Sequence, residues 1–241
     1  YGEGGPVSVW AARRFWTSAS VVPDAGGFAV ELDGSPVRTP RKAPLLLPTA
    51  ALAEVVAAEW QAVEGKVDPS RMPFTRRANS AIDTVVPEFE AVAAMLADYG
   101  GSDLLCYRAE GPQDLVARQR MAWDPLLLWA ETDLAAPLIA TTGVMHVAQP
   151  GSSRAALAKA VRALTPFHLA AFHDLVALSG SLVLALAVTR QRLTAAEAWS
   201  LSRIDEDWQV EQWGADEDAT ATAALKRADF LQADRFFALC G

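Results

Sequence analysis

The residues of this sequence that could carry chemistry are three histidines, two cysteines and a few clustered carboxylates. His168 and His173 are five positions apart, so they do not share one helix face as the histidine ligands of a zinc helix do, and His146 lies far from both. Cys106 and Cys240 are widely separated and neither has a CxxC partner. This pattern argues against a thiolate metal site or a disulfide framework, and it favours a reducing compartment.

The candidate acid–base groups are His173 with Asp174 and the run Asp205-Glu206-Asp207. Neighbouring side chains on a helix point in different directions, so neither run forms a catalytic pair by itself, and a solvated helix face is the more ordinary interpretation. Ser181 follows Gly180 within an apolar helical stretch and does not match GxSxG. Dinucleotide-binding and P-loop motifs are absent from the sequence as well. We therefore expect no enzyme activity, no cofactor and no metal site.

Length and composition narrow the class of protein further. The chain has 241 residues, of which 51% are hydrophobic, so it can build a packed core. Its 29 acidic and 21 basic residues give a net charge of -8, which disfavours nucleic acid as a partner. The longest uncharged apolar run, residues 175–189, is shorter than the roughly 20 residues that a membrane-spanning helix needs. Residues 1–6 lack the charged-then-apolar pattern of a secretory signal, so we expect no membrane insertion.

Residues 1–48 have the pattern of a small antiparallel sheet. Apolar side chains alternate with other positions over residues 28–32, which predicts a half-buried strand. The Asp33-Gly34 pair predicts a hairpin turn with a return strand over residues 37–39. Residues 45–47 can add another short strand.

Residues 49–241 change to the 3–4 periodicity of helices. Thr49 is a suitable N-cap for the first helix, and Gly65 is a suitable stop. A proline starts a helix more readily than it continues one, so Pro125 is expected to separate two helices. A β-hairpin is predicted over residues 137–148. The predicted helices after the first cover residues 75–85, 87–99, 112–123, 125–133, 152–164, 166–188, 194–213 and 216–237.

Taken together, these patterns predict an α+β protein with two domains. A small antiparallel β unit, residues 1–48, precedes a larger and mainly α-helical domain, residues 49–241, which contains one β-hairpin. Strands and helices do not alternate along the chain, so no parallel α/β sheet is expected.

Charge is unevenly distributed along the helical part. Residues 205–218 contain seven acids and no base, and Trp208 and Trp213 lie within this run. Aromatic residues beside acids on an exposed face are typical of a protein interface. The apolar spacing from Leu201 favours Trp208 as a core residue, whereas Trp213 could be either buried or exposed. The opposite charge gathers around Arg71, Arg76 and Arg77, which can pair with acids of this chain or of a partner.

A series of short motifs in a fixed order resembles one protein family. The series spans about residues 13–240, nearly the whole chain. The motifs are Leu32 to Pro40, Ala58-Glu59-Trp60, Met72 to Thr75, Asn79 to Asp83, Asp103 to Arg108, Arg118-Gln119, Trp123 to Leu126, Leu201-Ser202-Arg203, Trp208-Gln209 and Trp213-Gly214. In this order they resemble the assembly chaperone of the ATP synthase F1 sector that holds the alpha subunit, a family of mitochondria and α-proteobacteria.

The resemblance implies a non-enzymatic function. Such a protein binds the newly made, unassembled F1 alpha subunit, prevents its aggregation and delivers it for assembly with beta. A partner that binds the assembly-competent form withdraws that form from the aggregation route by mass action. The chaperone itself is expected to be a monomer.

The resemblance also points to the late acidic helix as the partner-binding site. The family pattern has an acid three residues before an aromatic-Gln pair, which falls on Asp205. The usual residue there is Glu, so this Asp keeps the charge but has a shorter reach. The predicted contact residues are Asp205, Glu206, Gln209, Trp213 and Gly214.

Four further matches to the family are expected to have structural roles. Trp60 should join the β unit to the helical body, and its loss should cost about 3–5 kcal/mol if it is fully buried. Asp124 with Pro125 is a candidate cap for the next helix. The predicted structural residues are Trp60, Asn79, Trp123 and Asp124.

Two other functions stay open at the level of sequence. One is a small-molecule enzyme or ligand-binding protein with a pocket between the β unit and the helices, using Arg38, Asn79 or His173. The other is a general holdase, which would expose a broad apolar patch. The family, the cysteine usage and the Ala/Arg/Val-rich composition favour a bacterial cytoplasm, with the mitochondrial matrix as the alternative.

Overall fold

The computed structural model describes residues 13–241 of the chain. The expectation about the N-terminal residues 1–6 lies outside the described residues. The described chain is an α+β protein in which a small antiparallel sheet precedes a mainly helical body, as predicted. Among the described residues, no helix is both long and apolar enough to span a membrane.

The described chain divides into two compact units. The first contains the described residues up to Phe89 together with Pro166–Ala170 and Arg235–Gly241. The second contains Glu90–Thr165 and Ala171–Asp234. Residues 49–89 thus belong to the same unit as the sheet, and the domain boundary that the sequence suggests after residue 48 stays a prediction.

The sheet of the first unit has four short strands: β1 Ala19–Asp24, β2 Gly27–Leu32, β3 Ser35–Pro36 and β4 Leu46–Leu47. Strand β2 pairs antiparallel with each of the other three. Asp33 and Gly34 have φ angles of 49° and 81°, which the tight turn between β2 and β3 requires, so the predicted hairpin is confirmed. The return strand comes two residues earlier than predicted, and the sequence analysis missed β1.

Helix α1, Ala50–Gln61, begins at the predicted cap. The Thr49 hydroxyl accepts a hydrogen bond from the Leu52 N–H, and the buried face of the helix includes Val56 and Trp60. This apolar face lies against β1 and β2. The unit continues with a 3-10 turn, Pro69–Arg71, helix α2, Pro73–Ser80, and a π-helical turn, Ala81–Val85.

The remaining helices follow in close succession. They are α3 Phe89–Asp98, α4 Gln113–Leu134, α5 Gly151–Arg162, α6 Pro166–Ser179, α7 Leu182–Thr189, α8 Ala195–Ser202, α9 Ile204–Trp213 and α10 Glu217–Leu239. Every residue from 182 to 188 is buried, so α7 lies at the centre of the second unit and carries its core.

The second unit contains no hairpin over residues 137–148, and that prediction is wrong. Strand β6, Thr141–Thr142, pairs instead in parallel with β5, Tyr107–Arg108. The partner comes from a distant segment, which the local alternation of apolar residues cannot indicate. Residues 138–140 do not form a strand.

Three predicted helix boundaries are also wrong. The helix predicted over 194–213 is divided at Arg203 into α8 and α9. Helix α4 continues through Pro125, so Asp124 and Pro125 lie inside one helix and do not cap a second one. Conversely, the apolar stretch predicted as one helix over 166–188 is broken at Gly180, whose φ angle is 68°. The Ser181 hydroxyl then accepts a hydrogen bond from the Leu184 N–H and caps α7.

Candidate partner-binding surface

Helix α9 carries the predicted contact residues, and its ends are fixed by local chemistry. Helix α8 before it opens with a capping box between Thr194 and Glu197 and ends at Arg203. Asp205, Glu206 and Asp207 occupy the first turn of α9, where carboxylates interact favourably with the helix dipole. The helix stops at Gly214, whose φ of 89° is one that side-chain-bearing residues rarely adopt.

Asp205 is held in place by helix α4. Its Oδ1 accepts a hydrogen bond of 2.6 Å from Gln119 Nε2, and Gln119 Oε1 in turn accepts one of 2.8 Å from the Ala109 N–H. Gln119 is buried, so its amide is fixed from both sides. Gln119 belongs to a family motif, but its bond to Asp205 joins residues 86 positions apart, which the sequence does not indicate.

Arg118 anchors the middle of α9. It forms two hydrogen bonds of 2.8 Å with the Glu211 carboxylate, and its guanidinium lies 5.1 Å from the centre of the Trp208 ring. The hydrogen bonds from Arg118 lower the pKa of Glu211. Trp208 is half-buried beneath this cation and is not a full core residue, which corrects the expectation from its spacing.

The other predicted contact residues lie at the surface. Glu206 pairs with Arg203 at 2.6 Å, and the Arg203 guanidinium lies 5.7 Å from the Trp199 ring. Gln209 is exposed, and Trp213 is 79% exposed, which is unusual for so large an apolar side chain. Packing in the core explains the buried tryptophans, whereas the exposure of Trp213 needs a functional explanation.

Two grooves of the second unit meet at Trp213. The first, which we call the loop groove, has a volume of about 600 Å³ and lies between α9 and residues 107–115 and 143–144. Asp205, Gln209 and Trp213 line it. The second, which we call the α9–α10 groove, has a volume of about 710 Å³. Glu206, Gln209, Trp213 and Gly214 line this one, so each of the five predicted contact residues faces at least one groove.

The loop groove has an apolar floor. Leu115, Pro112 and Trp208 line it, and Val144 projects from the loop at its edge, 93% exposed. Tyr107 at the same edge hydrogen-bonds His146 at 3.1 Å, which ties the loop to strand β5. The sequence predicts a hairpin here, so it gives no indication of this loop beside α9.

Three of the predicted structural residues belong to tightly packed surroundings. Trp60 is buried against the Trp16 ring, with centroids 5.4 Å apart, in the first unit. Trp123 is fully buried, and its Nε1 donates to the Leu201 carbonyl at 2.9 Å. Asn79 is buried in α2. These settings agree with packing, and the structural roles themselves stay predictions.

Asp124 pairs with Arg108 at 2.8 Å, although its side chain is 59% exposed. Arg108 is buried, donates from Nε to the Leu105 carbonyl, and lies 5.3 Å from the centre of the Trp123 ring. Asp124 therefore neutralises a buried cation that packs on Trp123. This is a different role from the helix cap that the sequence suggested.

The residues considered for chemistry have ordinary local partners. His173 hydrogen-bonds the neighbouring Asp174 at 3.2 Å, which raises its pKa, and Arg38 donates to the Lys42 carbonyl. Burial raises the pKa of the Cys106 and Cys240 thiols to about 12, so both stay protonated. Within residues 13–241, no three His, Cys, Asp or Glu side chains are grouped closely enough to hold a metal ion.

The chain is similar in sequence and structure to several known proteins. The family model described as "ATP12 chaperone protein" matches residues 13–131. The crystal structure of Atp12 from Paracoccus denitrificans is 54% identical, covers 95% of this chain and 99% of its own, and superposes with a TM-score of 0.92. An aspartate-to-lysine mutant of the same protein is 53% identical, covers 95% of this chain and 98% of its own, and has a TM-score of 0.92.

A more distant relative matches most of the chain. The mitochondrial protein atp12 of Schizosaccharomyces pombe is 25% identical over 219 residues, which are 86% of this chain and 75% of that protein. These likenesses place the chain in the class of assembly chaperones. More particularly, the chain belongs to the ATP12 chaperone family, the F1 assembly chaperones of ATP synthase.

Proposed function

We propose that this chain binds the unassembled F1 alpha subunit, prevents its aggregation and delivers it for assembly with beta. The observation that carries the proposal is Trp213, an exposed tryptophan between two grooves on a helix rich in acids. Tryptophans at the centre of an interface commonly contribute much of the binding energy.

The physical logic of the proposal is capping. An isolated subunit exposes apolar surface that its neighbours cover after assembly, and such surface drives aggregation. A chaperone that binds this surface stabilises the competent form, and the stabilisation rises with the logarithm of the ratio of its free concentration to its Kd. Beta can then displace the chaperone by competing for an overlapping surface.

A small-molecule enzyme stays the alternative function. Its candidate groups have separate local settings: Arg38 donates to the Lys42 carbonyl, Asn79 is buried in α2, and His173 hydrogen-bonds Asp174. An open surface beside an exposed tryptophan favours a protein partner over a small ligand.

The test is co-expression of this chain with F1 alpha, followed by size-exclusion chromatography. We expect a soluble complex with the wild-type chain, and aggregated alpha without it. Truncation of Trp213 to Ala should weaken the complex by about 2 kcal/mol, roughly thirtyfold, while the melting temperature of the chain stays the same. Leu225→Ala is the matched control, because Leu225 is also an exposed apolar residue but lines neither groove in the described chain.

Charge reversal at Asp205 tests the same site less cleanly. Asp205→Lys removes the carboxylate that holds Gln119, so the buried amide loses a partner as well. Glu131→Lys makes the same charge change at an exposed position of α4 outside both grooves. If alpha aggregates in the presence of the wild-type chain, the chaperone proposal fails. If the complex survives both Trp213→Ala and Asp205→Lys, the function stands and the site lies elsewhere.

The location and oligomeric state belong to the same proposal. Relatives come from a bacterium and from a mitochondrion, and we propose the bacterial cytoplasm for this chain, with the mitochondrial matrix as the alternative. We also propose that the free chain is a monomer, which light scattering on the purified protein measures directly.

A further inference from the structure

The α9–α10 groove has a lining arranged along two helices. On α9 it is lined by Glu206, Val210 and Trp213, which recur every three or four residues, and Arg203 and Gly214 line it at the two ends of the helix. On α10, residues 219, 223 and 227 recur every four residues. Residues at this spacing lie on one face of a helix. Two such faces bordering one groove present ridges that a third helix can pack against.

The first half of α10 has no cover of its own. Residues 217–228 are all exposed except Ala223, which is half-buried, and full burial begins only at Phe230. A helical segment of about 12 residues has only marginal stability in water when nothing packs against it. Thr220 and Thr222 lower the helix propensity of this segment further. An additional helix in the groove would bury the exposed side of this segment and stabilise it.

Charge on the groove selects its occupant. Its apolar lining includes Val210, Trp213, Ala219 and Ala223. Three acids, Glu206, Asp207 and Asp216, and two bases, Arg203 and Arg227, also line it, and Arg203 is paired with Glu206 at 2.6 Å. The lining therefore stays net negative, and it borders the run of seven acids and no base over residues 205–218. A second copy of this chain, with a net charge of -8, would bring acids against acids.

We infer that the α9–α10 groove receives an amphipathic helical segment of the client, with apolar side chains along one face and Lys or Arg on its flanks. The inference rests on the proposed function, because the client is the F1 alpha subunit. The apolar face packs between Trp213 and the Ala219–Ala223 side of α10, and the basic flanks face the carboxylates. This mode is helix-in-groove recognition.

The experiment fills the groove without altering its charge. Ala219→Trp places a large side chain in the groove, whereas Ala221→Trp places the same side chain about 200° around the helix, outside the lining. A preformed complex of tagged F1 alpha with fluorescently labelled wild-type chain is challenged with each unlabelled variant. We expect Ala219→Trp to need at least about tenfold more protein than wild type to displace the label, and Ala221→Trp to match wild type.

A second arm tests the chemistry of the occupant. Asp207→Lys reverses a charge on the groove border and should also compete at least about tenfold less well, while Glu131→Lys competes like wild type. Hydrogen exchange of residues 217–228 in the free chain and in the complex completes the test. We expect rapid exchange in the free chain and protection in the complex.

The outcomes separate the two proposals. If the wild-type chain forms no complex with alpha, the proposed function and this inference both fail. If the wild type binds and Ala219→Trp competes equally well, the groove inference fails and the function stands. If hydrogen exchange of residues 217–228 is unchanged in the complex, the occupant is not a helix packed on this segment. If Asp207→Lys competes as well as wild type, the occupant does not carry basic flanks. A concentration-dependent dimer that protects these residues in the absence of alpha shows that a second copy fills the groove, and overturns the inference.

Discussion

Asp103 is a fully buried carboxylate that precedes strand β5 and lies against the start of helix α7. It accepts hydrogen bonds from the Leu105 N–H at 3.0 Å, the Ser181 hydroxyl at 2.8 Å and the Val183 N–H at 2.9 Å. Burial nevertheless raises its pKa, because loss of hydration outweighs these bonds. The residue thus joins the segment before β5 to the helix that forms the core of the second unit.

Asp103→Asn tests this arrangement. The amide has one acceptor oxygen where the carboxylate has two, so a buried donor loses its partner, and we expect a loss of about 1–3 kcal/mol in unfolding free energy. The pKa of Asp103 is higher in the folded chain than its ordinary value of 3.8. As the pH rises from 3.8 through the folded pKa, the unfolded state therefore releases its proton first, and the wild type loses stability relative to the variant.

Urea unfolding of both chains over a range of pH measures this effect. The difference in stability between wild type and Asp103→Asn should narrow as the pH rises. A difference that widens instead means that the hydrogen bonds prevail over burial and that the pKa is lowered. Ser181→Ala removes one of the three donors to the Asp103 carboxylate. We expect the stability of this variant to fall more steeply than that of the wild type as the pH rises.

At the level of elements, those that depend on local signals in the sequence were predicted correctly. Those that depend on distant partners were not. The Thr49 cap of α1 and the Asp33-Gly34 turn depend on residues a few positions apart, and both predictions are confirmed. At the break before α7, Ser181 also bonds Asp103, which is 78 residues away in the sequence. The same holds for strand β6, whose partner Tyr107–Arg108 is remote, so a local pattern suggested a hairpin instead.

Helix α4 shows the opposite error, since a strong local signal gave the wrong boundary. Proline inside a helix removes one hydrogen bond and normally costs several kcal/mol. Here Trp123 and Leu126 on either side of Asp124 and Pro125 are both buried, and the Trp123 indole is bonded to Leu201. Packing of this kind is able to offset the lost bond, and it is not visible in the sequence.

The sheet offers a prediction at this scale. A Cβ added at Gly27 would lie 2.4 Å from the Leu47 carbonyl oxygen, which belongs to the backbone of β4 and cannot rotate away. We expect Gly27→Ala to separate β2 from β4 and to cost about 1–3 kcal/mol of unfolding free energy. Chemical denaturation measures the change.

Gly151→Ala provides the control for that substitution. Gly151 is the first residue of α5, and nothing lies within 4 Å of an added Cβ. Alanine is the better helix former, so this change should be neutral or slightly stabilising. If both variants lose the same unfolding free energy, the close approach of Gly27 to β4 is not the reason why a side chain is disfavoured at position 27.

At the level of the whole molecule, the sequence was enough for the family but not for the shape of the surface. Many motifs in order identified the family, and the five predicted contact residues are close together simply because they lie within ten positions of each other. The two grooves also need residues from α4, from the loop at 143–144 and from α10. Those segments are distant in the sequence, so only the structure shows that α9 is bordered on both sides.

Net charge then determines how the whole molecule should meet its client. The chain carries a net charge of -8, and seven of its acids fall within residues 205–218 beside the grooves. If the client presents basic flanks there, attraction guides the encounter from a distance and raises the association rate. Salt screens this attraction over about 10 Å at 0.1 M ionic strength, but it affects contacts that are already buried much less.

We therefore expect the association rate with F1 alpha to fall about tenfold or more between roughly 50 and 500 mM salt, with a smaller change in the dissociation rate. Stopped-flow fluorescence measures both rates. The labelled chain is mixed with a complex of unlabelled chain and alpha, and its fluorescence reports the binding of alpha as alpha leaves that complex. Asp207→Lys should flatten the salt dependence, because it changes the local charge by two, whereas Glu131→Lys makes the same change outside the acidic run and should leave most of the slope. Equal slopes for the two variants would mean that net charge alone guides the encounter and that the acids of α9 do not face the client.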